Sequence, residues 1–361
     1  MPRRMAHDPW LFFTAAFLVL AGLFMVGSAA QYEAVRDSGG PAHLMKQAVH
    51  IAVGGIAFLI GLFVPYTRWN QRWIALSAVG VSAVLLLVVL AMPPIAGVHR
   101  WIRVGPASFQ VSELAKLSVV MFLAVVLSRR DHRLDEPPVV VSCLSVIGAL
   151  AFLIYIEPDL GSACVLALIA GLMLYAAGLN WKAVTGLVAA GAGAFALAVM
   201  ISPYKLERIK TFLDPEADTQ GSGFQLMQSL IAVGSGGLTG VGPGQGQQKA
   251  FFLPEAHTDF IFSVIGEELG LVGTGVLLGA FMLLYWRGLR TALRAPDRFG
   301  FYLAFGITHL LVIQALMNMG VCLGLLPTTG LPLPLISYGG SSALMSMAAL
   351  GLLLNVSQYS N

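Results

Sequence analysis

The sequence predicts an all-α polytopic membrane protein with about ten transmembrane helices. Hydrophobic residues make up 57% of the chain and charged residues 11%, and the mean hydropathy is +0.80. Water-soluble domains are about 45 to 50% apolar, so this composition excludes a soluble protein. The formal net charge of +3 reflects where cations lie relative to the membrane and does not indicate nucleic-acid binding.

Apolar runs near the length of a membrane-spanning helix, about 20 residues, recur through the whole chain. They predict helices at 10–29, 45–65, 74–93, 111–128, 139–156, 160–178, 183–201, 259–286, 301–326 and 342–356. We interpret residues 1–361 as a single transmembrane domain whose largest polar segment, the loop 202–258, lies between helices 7 and 8.

The distribution of lysine and arginine predicts the orientation of these helices. Alternate loops place twelve cations on one side: Arg3, Arg4, Arg68, Arg72, Arg129, Arg130, Arg133, Lys182, Arg287, Arg290, Arg294 and Arg298. Outside the loop 202–258, the other side has Arg36, Lys46, Arg100 and Arg103. Because cytoplasmic loops are enriched in such residues, we expect both termini in the cytoplasm and the loop 202–258 outside.

The outer loop 202–258 is long enough to be a lid or a binding segment. Residues 224–231 carry apolar side chains at helical spacing, which predicts a short amphipathic helix. The glycine-rich stretch 234–244 follows. Its composition suits close approach of backbone N–H groups to a phosphate, and it suits tight turns equally well.

Asp259 is the leading candidate for a catalytic carboxylate. It ends the ionisable cluster Pro254–Asp259, and Phe260 begins the next apolar run. A charge at the edge of an apolar span is costly unless it faces protein or a water-filled cavity, so it indicates a functional site. Capping of the next helix by Thr258 or Asp259 explains the same pattern. We expect Asp259 to be ionised at neutral pH, because a helix N-terminus and nearby cations oppose the effect of burial.

Three further ionisable residues interrupt apolar helices and are interpreted as structural. Glu113 and Lys116 are three residues apart on one helix, so their side chains can pair and shape a cavity wall. A direct part in catalysis is the alternative interpretation of this pair. Glu267 lies with Glu268 about 12 Å along the helix from Asp259, at 1.5 Å per residue. This spacing places both glutamates near the outer interface.

Two other segments offer groups that could bind a ligand. The outer segment 99–103 supplies two cations and an interfacial aromatic residue, although a membrane anchor has the same composition. The proline-rich segment 327–334 cannot be a regular helix, and such backbone between spans is tolerated where it is buried or lines a cavity. Hydroxyl groups at 337–342 follow it and suit either a ligand or a helix cap. The candidate residues in these segments are Arg100, Trp101, Arg103, Ser337 and Ser341.

Several motifs, in order along nearly the whole chain, make the sequence resemble the SEDS family of bacterial shape, elongation, division and sporulation proteins. They are Arg100-Trp101-Ile102, 109–116, Pro158-Asp159-Leu160-Gly161, Phe212-Leu213-Asp214-Pro215, 254–262 and 332–342. Val111 departs from the proline that the family usually has before Ser-Glu-Leu. The segments 245–249, 253–257 and 290–300 are more similar to the division branch than to the elongation branch, with Gly246 in place of the usual serine.

The resemblance implies a peptidoglycan glycosyltransferase in the bacterial cytoplasmic membrane. Such proteins polymerise lipid II at the outer face, together with a class B penicillin-binding protein and other division or elongation membrane proteins. The 4-hydroxyl of an acceptor sugar attacks the anomeric carbon of a donor sugar, and undecaprenyl pyrophosphate leaves.

This chemistry needs a base near the hydroxyl and cations near the pyrophosphate. Asp259 matches the essential aspartate of the family, and a divalent cation, Mg²⁺ or Mn²⁺, held partly by Asp259 is an alternative role. Outer groups available to the substrate are Arg100, Trp101, Arg103, Lys205, Arg208, Lys249, His257, Ser337 and Ser341. A lipid II flippase that depends on Glu113 and Lys116, and a non-catalytic scaffold that activates a transpeptidase, are the alternative functions.

Overall fold

The computed structural model describes residues 7–36, 42–94, 98–104, 107–129, 137–218 and 221–360. Helices dominate these residues. They are α1 (Pro9–Arg36), α2 (Ala42–Phe63), α3 (Arg72–Ala91), α4 (Val111–Arg129), α5 (Pro137–Ile156), α6 (Leu160–Ala176), α7 (Trp181–Ile201), α8 (Pro203–Leu213), α9 (Ser222–Ser235), α10 (Gln248–Phe251), α11 (Ile261–Leu293), α12 (Arg298–Cys322) and α13 (Gly340–Ser357).

The prediction of about ten transmembrane helices is confirmed. Within the described ranges, nine helices are long and apolar enough to cross a membrane, and α6, with 17 residues, is a shorter apolar helix. About 17 residues is the lower limit for a spanning helix, so α6 corresponds to the predicted run 160–178. Four of the twelve cations that predicted the orientation, Arg3, Arg4, Arg130 and Arg133, lie outside the described residues.

The helices differ strongly in how much of their surface is covered by protein. Within the most apolar 18 residues of each helix, 83% of α4 is buried, 78% of α12 and 72% of α13, whereas only 6% of α7 is buried. Helices α4, α12 and α13 therefore form the centre of the bundle. Helix α7 stands at the edge with nearly all of its apolar surface exposed.

A short antiparallel hairpin was not predicted from the sequence. Strand β1 (Trp101–Val104) pairs with β2 (Ala107–Gln110), with Trp101 opposite Gln110. The hairpin leads directly into α4, which begins at Val111. It therefore places Arg100 and Trp101 next to the N-terminal end of a central helix.

Residues 236–242 of the loop 202–258 pack on α11 where that helix is kinked. Gly270 has φ 63° and ψ −160° inside α11. Across the kink, Leu271 N donates to Gly237 O at 2.9 Å, and Gly242 N donates to Glu268 O at 3.1 Å. A Cβ atom at Gly240 would lie 2.1 Å from Glu268 O, so glycine is required for this close approach. The glycine-rich stretch thus pairs with a broken helix, and the predicted amphipathic helix 224–231 is confirmed as part of α9.

Candidate active site

Asp259 lies in the turn that precedes α11. The N-cap residue of α11 is Phe260, and no side chain makes a capping hydrogen bond there. Thr258 Oγ1 donates instead to Glu255 Oε2 at 2.9 Å. The interpretation that Thr258 or Asp259 caps the helix is therefore wrong. The Asp259 side chain faces a cavity instead.

The Asp259 side chain lines two neighbouring cavities. The larger has a volume of about 270 Å³ and is also bounded by Arg100, Trp101 and Ser341. The smaller, of about 40 Å³, is bounded by Arg208. Arg208 also lines a mainly apolar groove of about 210 Å³ among α6, α7 and α8. The carboxylate therefore lies between two arginines, and one of them borders an apolar surface.

Both arginines are held by main-chain carbonyl groups. Arg100 Nε donates to Glu157 O at 3.1 Å, and the guanidinium also contacts Pro158 O. Arg208 Nη1 donates to Thr328 O at 2.9 Å. These contacts hold both guanidinium groups at the cavities that Asp259 lines, where a positive charge can stabilise an anion.

Gly330 lies against the charged groups of the site. Its φ is +71°, and a Cβ atom there would lie 3.3 Å from Asp259 Oδ2 and 3.7 Å from Arg100 Nη1. The Asp259 carboxylate and the Arg100 guanidinium therefore face the same glycine. A side chain at this position would be strained and would crowd both groups.

The electrostatic surroundings of Asp259 favour its protonated form more than the sequence suggested. Burial and the Glu255 carboxylate raise the pKa of Asp259 to about 7, while Arg100 and Arg208 oppose the shift. Asp259 is therefore only partly ionised at neutral pH, whereas we expected it to be ionised, because burial outweighs the cations. A pKa near the working pH is what a general base requires.

We predict that Glu255→Gln lowers the pKa of Asp259 and moves the acidic limb of the pH–rate profile to lower pH. The ionised carboxylate is the form that accepts a proton, and the substitution removes a neighbouring like charge. Glutamine keeps an acceptor for Thr258 Oγ1. Initial rates of polymer formation over about pH 5 to 8 test the prediction, with the exposed Glu207→Gln as control. A limb that stays in place or moves upward contradicts it.

Asn318, which sequence analysis did not single out, fixes the position of Asp259. Its Nδ2 donates to Asp259 O and to Leu331 O, each at 2.7 Å, and the residue is 1% exposed. One turn earlier on α12, Gln314 Nε2 donates to Pro332 O at 3.1 Å. Two amides thus attach the Asp259 turn and the proline-rich segment to a central helix. The signal was present in the sequence, because amides within an apolar span are uncommon and indicate function.

We predict that Asn318→Leu lowers the rate of glycosyl transfer per folded molecule by about tenfold or more, because small displacements of a reacting group are costly. Asn355→Leu is a control at a second buried asparagine, whose Oδ1 also accepts from Tyr66 N at 2.9 Å. Asn355 is also fully buried, and its Nδ2 donates to Leu62 O at 2.6 Å and to Val64 O at 3.0 Å, far along the chain from Asp259.

Both substitutions leave buried carbonyls unpaired and should lower stability by about 1 to 3 kcal/mol. Thermal unfolding and initial rates, measured on the same folded fractions, separate the two effects. Equal loss of rate in the two variants would show that Asn318 has no particular role in positioning Asp259.

Two predicted residues, Lys249 in the outer loop and Glu267 on α11, are buried and hold the loop in place. Lys249 is 6% exposed; its Nζ contacts Glu268 Oε1 and donates to Ser28 Oγ at 2.8 Å. Glu267 Oε1 accepts hydrogen bonds from Gln247 N at 2.7 Å and Gln248 N at 3.1 Å. The structure thus places Lys249 away from the Asp259 cavity and Glu267 against the backbone of the outer loop.

Other predicted residues surround the cavity at different distances from Asp259. Ser337 Oγ donates to Thr258 O at 2.5 Å, so Ser337 fixes the turn, and it is not among the residues that line the larger cavity. The His257 ring packs against Tyr338 with centroids 5.4 Å apart. Arg103 is exposed on β1 and does not line the cavity.

Lys205 lies beside Arg208 in the apolar groove. Its Nζ lies 3.2 Å from the centroid of the Tyr155 ring. Burial and the nearby Arg100 lower the pKa of Lys205. The groove therefore presents two cations on a mostly apolar wall.

A divalent cation would need ligands from the substrate. Within the described ranges, no three His, Cys, Asp or Glu side chains converge as a metal site. The larger cavity has two carboxylates in its lining, Glu255 and Asp259. Mg²⁺ is commonly held by one or two carboxylates together with substrate phosphates, so these residues fit a cation that arrives with a phosphorylated substrate.

The comparisons with known proteins agree with the motifs and the fold. Residues 9–361 match the family model described as "Cell cycle protein", which covers FtsW, RodA and SpoVE. The chain belongs to this family. Members named probable peptidoglycan glycosyltransferase FtsW include one from Geobacter metallireducens, 40% identical over 97% of this chain and 94% of the relative. Stage V sporulation protein E of Bacillus subtilis is 38% identical over 99% of each chain.

Solved structures of family members share the architecture. Rod shape determining protein RodA of Thermus thermophilus matches with a TM-score of 0.72 and 31% identity over 98% of each chain. A chain from a peptidoglycan synthase complex, described as coordinating polymerisation and crosslinking, matches with a TM-score of 0.81 and 34% identity over 99% of each chain. The predicted all-α membrane fold and the SEDS resemblance are therefore confirmed.

Proposed function

We propose that this chain is a peptidoglycan glycosyltransferase that polymerises lipid II. The observation that carries the proposal is the position of the Asp259 carboxylate between Arg100 and Arg208, in cavities that adjoin an apolar groove. A lipid-linked sugar pyrophosphate matches this arrangement. Its sugars are polar, its pyrophosphate is anionic and its polyprenyl chain is apolar. Relatives named peptidoglycan glycosyltransferase support the assignment.

In the proposed reaction, Asp259 accepts the proton of the acceptor 4-hydroxyl. The hydroxyl oxygen forms a bond to the anomeric carbon of the donor, and the bond from that carbon to the pyrophosphate oxygen breaks. Arg208, with Lys205 beside it, is placed to stabilise the pyrophosphate that leaves, since positioned cations stabilise developing negative charge. Arg100 shares the larger cavity with Trp101 and Ser341, which suits recognition of sugar hydroxyls and carboxylate groups.

Neither alternative function is favoured by a specific contact. A flippase that moves charge through Glu113 and Lys116 would need these groups to face a path. They are instead 3% and 1% exposed and are paired to each other at 2.7 Å. A scaffold without catalysis would not need a carboxylate in a cavity between two arginines.

The decisive experiment is to supply purified protein with lipid II in detergent, together with the class B penicillin-binding protein that we propose as its partner. Glycan polymer, resolved by gel electrophoresis after labelling, is the expected product. The transpeptidase should carry an inactivated crosslinking serine so that only polymerisation is measured. Absence of polymer, with lipid II translocated across vesicles instead, would favour the flippase.

We also propose the orientation that the arginine distribution predicts, with the termini in the cytoplasm of a bacterium and the Asp259 cavity outside. A single cysteine at position 294, in a variant without Cys143, Cys164 and Cys322, is expected to resist an impermeant thiol reagent added to intact cells. A single cysteine at position 216 in the outer loop should react. Labelling of position 294 from outside would contradict this orientation.

A further inference from the structure

A separate groove lies at the end of the bundle remote from Asp259. Helix α4 runs from Val111, beside the Asp259 cavity, to Arg129, and the groove flanks its final turns. It has a volume of about 310 Å³ and lies among α3, α4 and α5. Its lining residues are Arg72, Ala75, Leu76, Phe122, Val125, Val126, Arg129, Ser142 and Val146.

Two exposed arginines line this groove, each at the end of a helix. Arg72 is the first residue of α3 and Arg129 is the last residue of α4, and both are exposed. Arg129 Nη2 donates to Asn70 O at 2.9 Å, which holds its guanidinium beside the turn that leads into α3. Like charges repel, so an anion bound between the two guanidinium groups would stabilise this arrangement.

The rest of the groove is apolar. Phe122 and Val125 are buried at 5% and 1% exposure and, with Ala75, form its floor. The hydroxyl of Ser142 donates to Val139 O within its own helix. The groove therefore combines one cationic end with a hydrocarbon surface, and a ligand that fits it has an anionic head and an apolar chain.

We infer that this groove binds an anionic phospholipid, with its phosphate between Arg72 and Arg129 and an acyl chain along the floor formed by α4. Both arginines are at helix ends, where the phosphates of lipids lie, and basic pockets between transmembrane helices are known to hold anionic head groups. A soluble anion would explain the arginines but not the apolar floor.

Binding can be measured by native mass spectrometry of the full chain in detergent. The protein is offered phosphatidylglycerol and phosphatidylcholine with identical acyl chains, and we expect preferential retention of phosphatidylglycerol. Arg72→Gln with Arg129→Gln should weaken that retention roughly 30-fold. Each cation near anionic lipid contributes about 1 kcal/mol of binding free energy, and two such losses correspond to this change in affinity. Arg68→Gln with Lys182→Gln is the matched control, because it removes two exposed cations that do not line the groove.

A second variant tests the apolar part without changing charge. Ser142 is exposed at the groove, so Ser142→Trp should fill the space without disturbing the packed bundle and should also reduce retention of phosphatidylglycerol. The proposal is overturned if both groove variants bind phosphatidylglycerol as the control does, or if phosphatidylcholine binds equally well. Displacement of the lipid by inorganic phosphate at similar concentration would show a site for a soluble anion and would also overturn it.

Discussion

Asp259→Asn is expected to reduce polymerisation of lipid II by at least roughly 10²-fold, the usual contribution of an acid–base group. Asparagine keeps the size of the side chain and removes the group that accepts the proton. The fold should be preserved, because the contact of Asn318 is with the main-chain carbonyl of residue 259. Rates of polymer formation from purified lipid II measure the effect.

The stability of the same variant distinguishes a catalytic carboxylate from a structural one. Burial and Glu255 raise the pKa of Asp259, so ionising this group is costly in the folded protein. Removal of the charge should therefore leave the thermal unfolding temperature unchanged or raise it. Glu207→Gln, which removes an exposed outer carboxylate, should retain full activity. Near wild-type polymerisation by Asp259→Asn would refute the assignment of this residue as the base.

The transmembrane helices could be predicted because the membrane leaves few alternatives. In hydrocarbon, backbone groups must be satisfied within the chain, so long apolar runs become helices. The helix predicted at 111–128 is confirmed as α4. This run contains Glu113 and Lys116, but the two charges pair within the helix. Run length therefore predicted the helices despite the internal charges.

The contacts that assemble the site could not be predicted, because they join segments far apart in sequence. Arg208 reaches Thr328, and Asn318 reaches both Asp259 and Leu331. Local spacing carries no information about such pairs. Lys249 shows the same difficulty, since a lysine in a polar loop was expected to meet substrate and is instead buried against Glu268. The chemistry of each side chain was readable from the sequence, but its partner was not.

The hairpin of β1 and β2 was missed for a different reason. Each strand has only four residues. In so short a segment, the alternation of apolar and polar residues that marks a strand cannot be distinguished from an irregular loop. Its consequence for the site is large, because it places Arg100 and Trp101 beside the first turn of α4. A short element with little periodicity thus positions one wall of the cavity.

Glu113→Ala is expected to lower stability by about 3 to 5 kcal/mol, because it leaves the buried charge of Lys116 without its partner. Lys116 Nζ lies 2.7 Å from Glu113 Oε1 and 2.6 Å from Gln314 Oε1. An amide oxygen compensates a buried ammonium charge far less than a carboxylate does. The yield of monodisperse protein after detergent extraction, together with thermal unfolding, measures this loss.

Glu113→Leu combined with Lys116→Met removes both charges and should fold better than Glu113→Ala. The recovery is expected to be incomplete, because Gln314 Oε1 then loses its donor and an unpaired buried acceptor costs about 1 to 3 kcal/mol. Gln314 also holds Pro332 through its Nε2, so the double variant should retain the arrangement of the proline-rich segment and measurable polymerisation. If every variant folds equally well and each single change abolishes activity, the pair acts directly in catalysis and the structural interpretation fails.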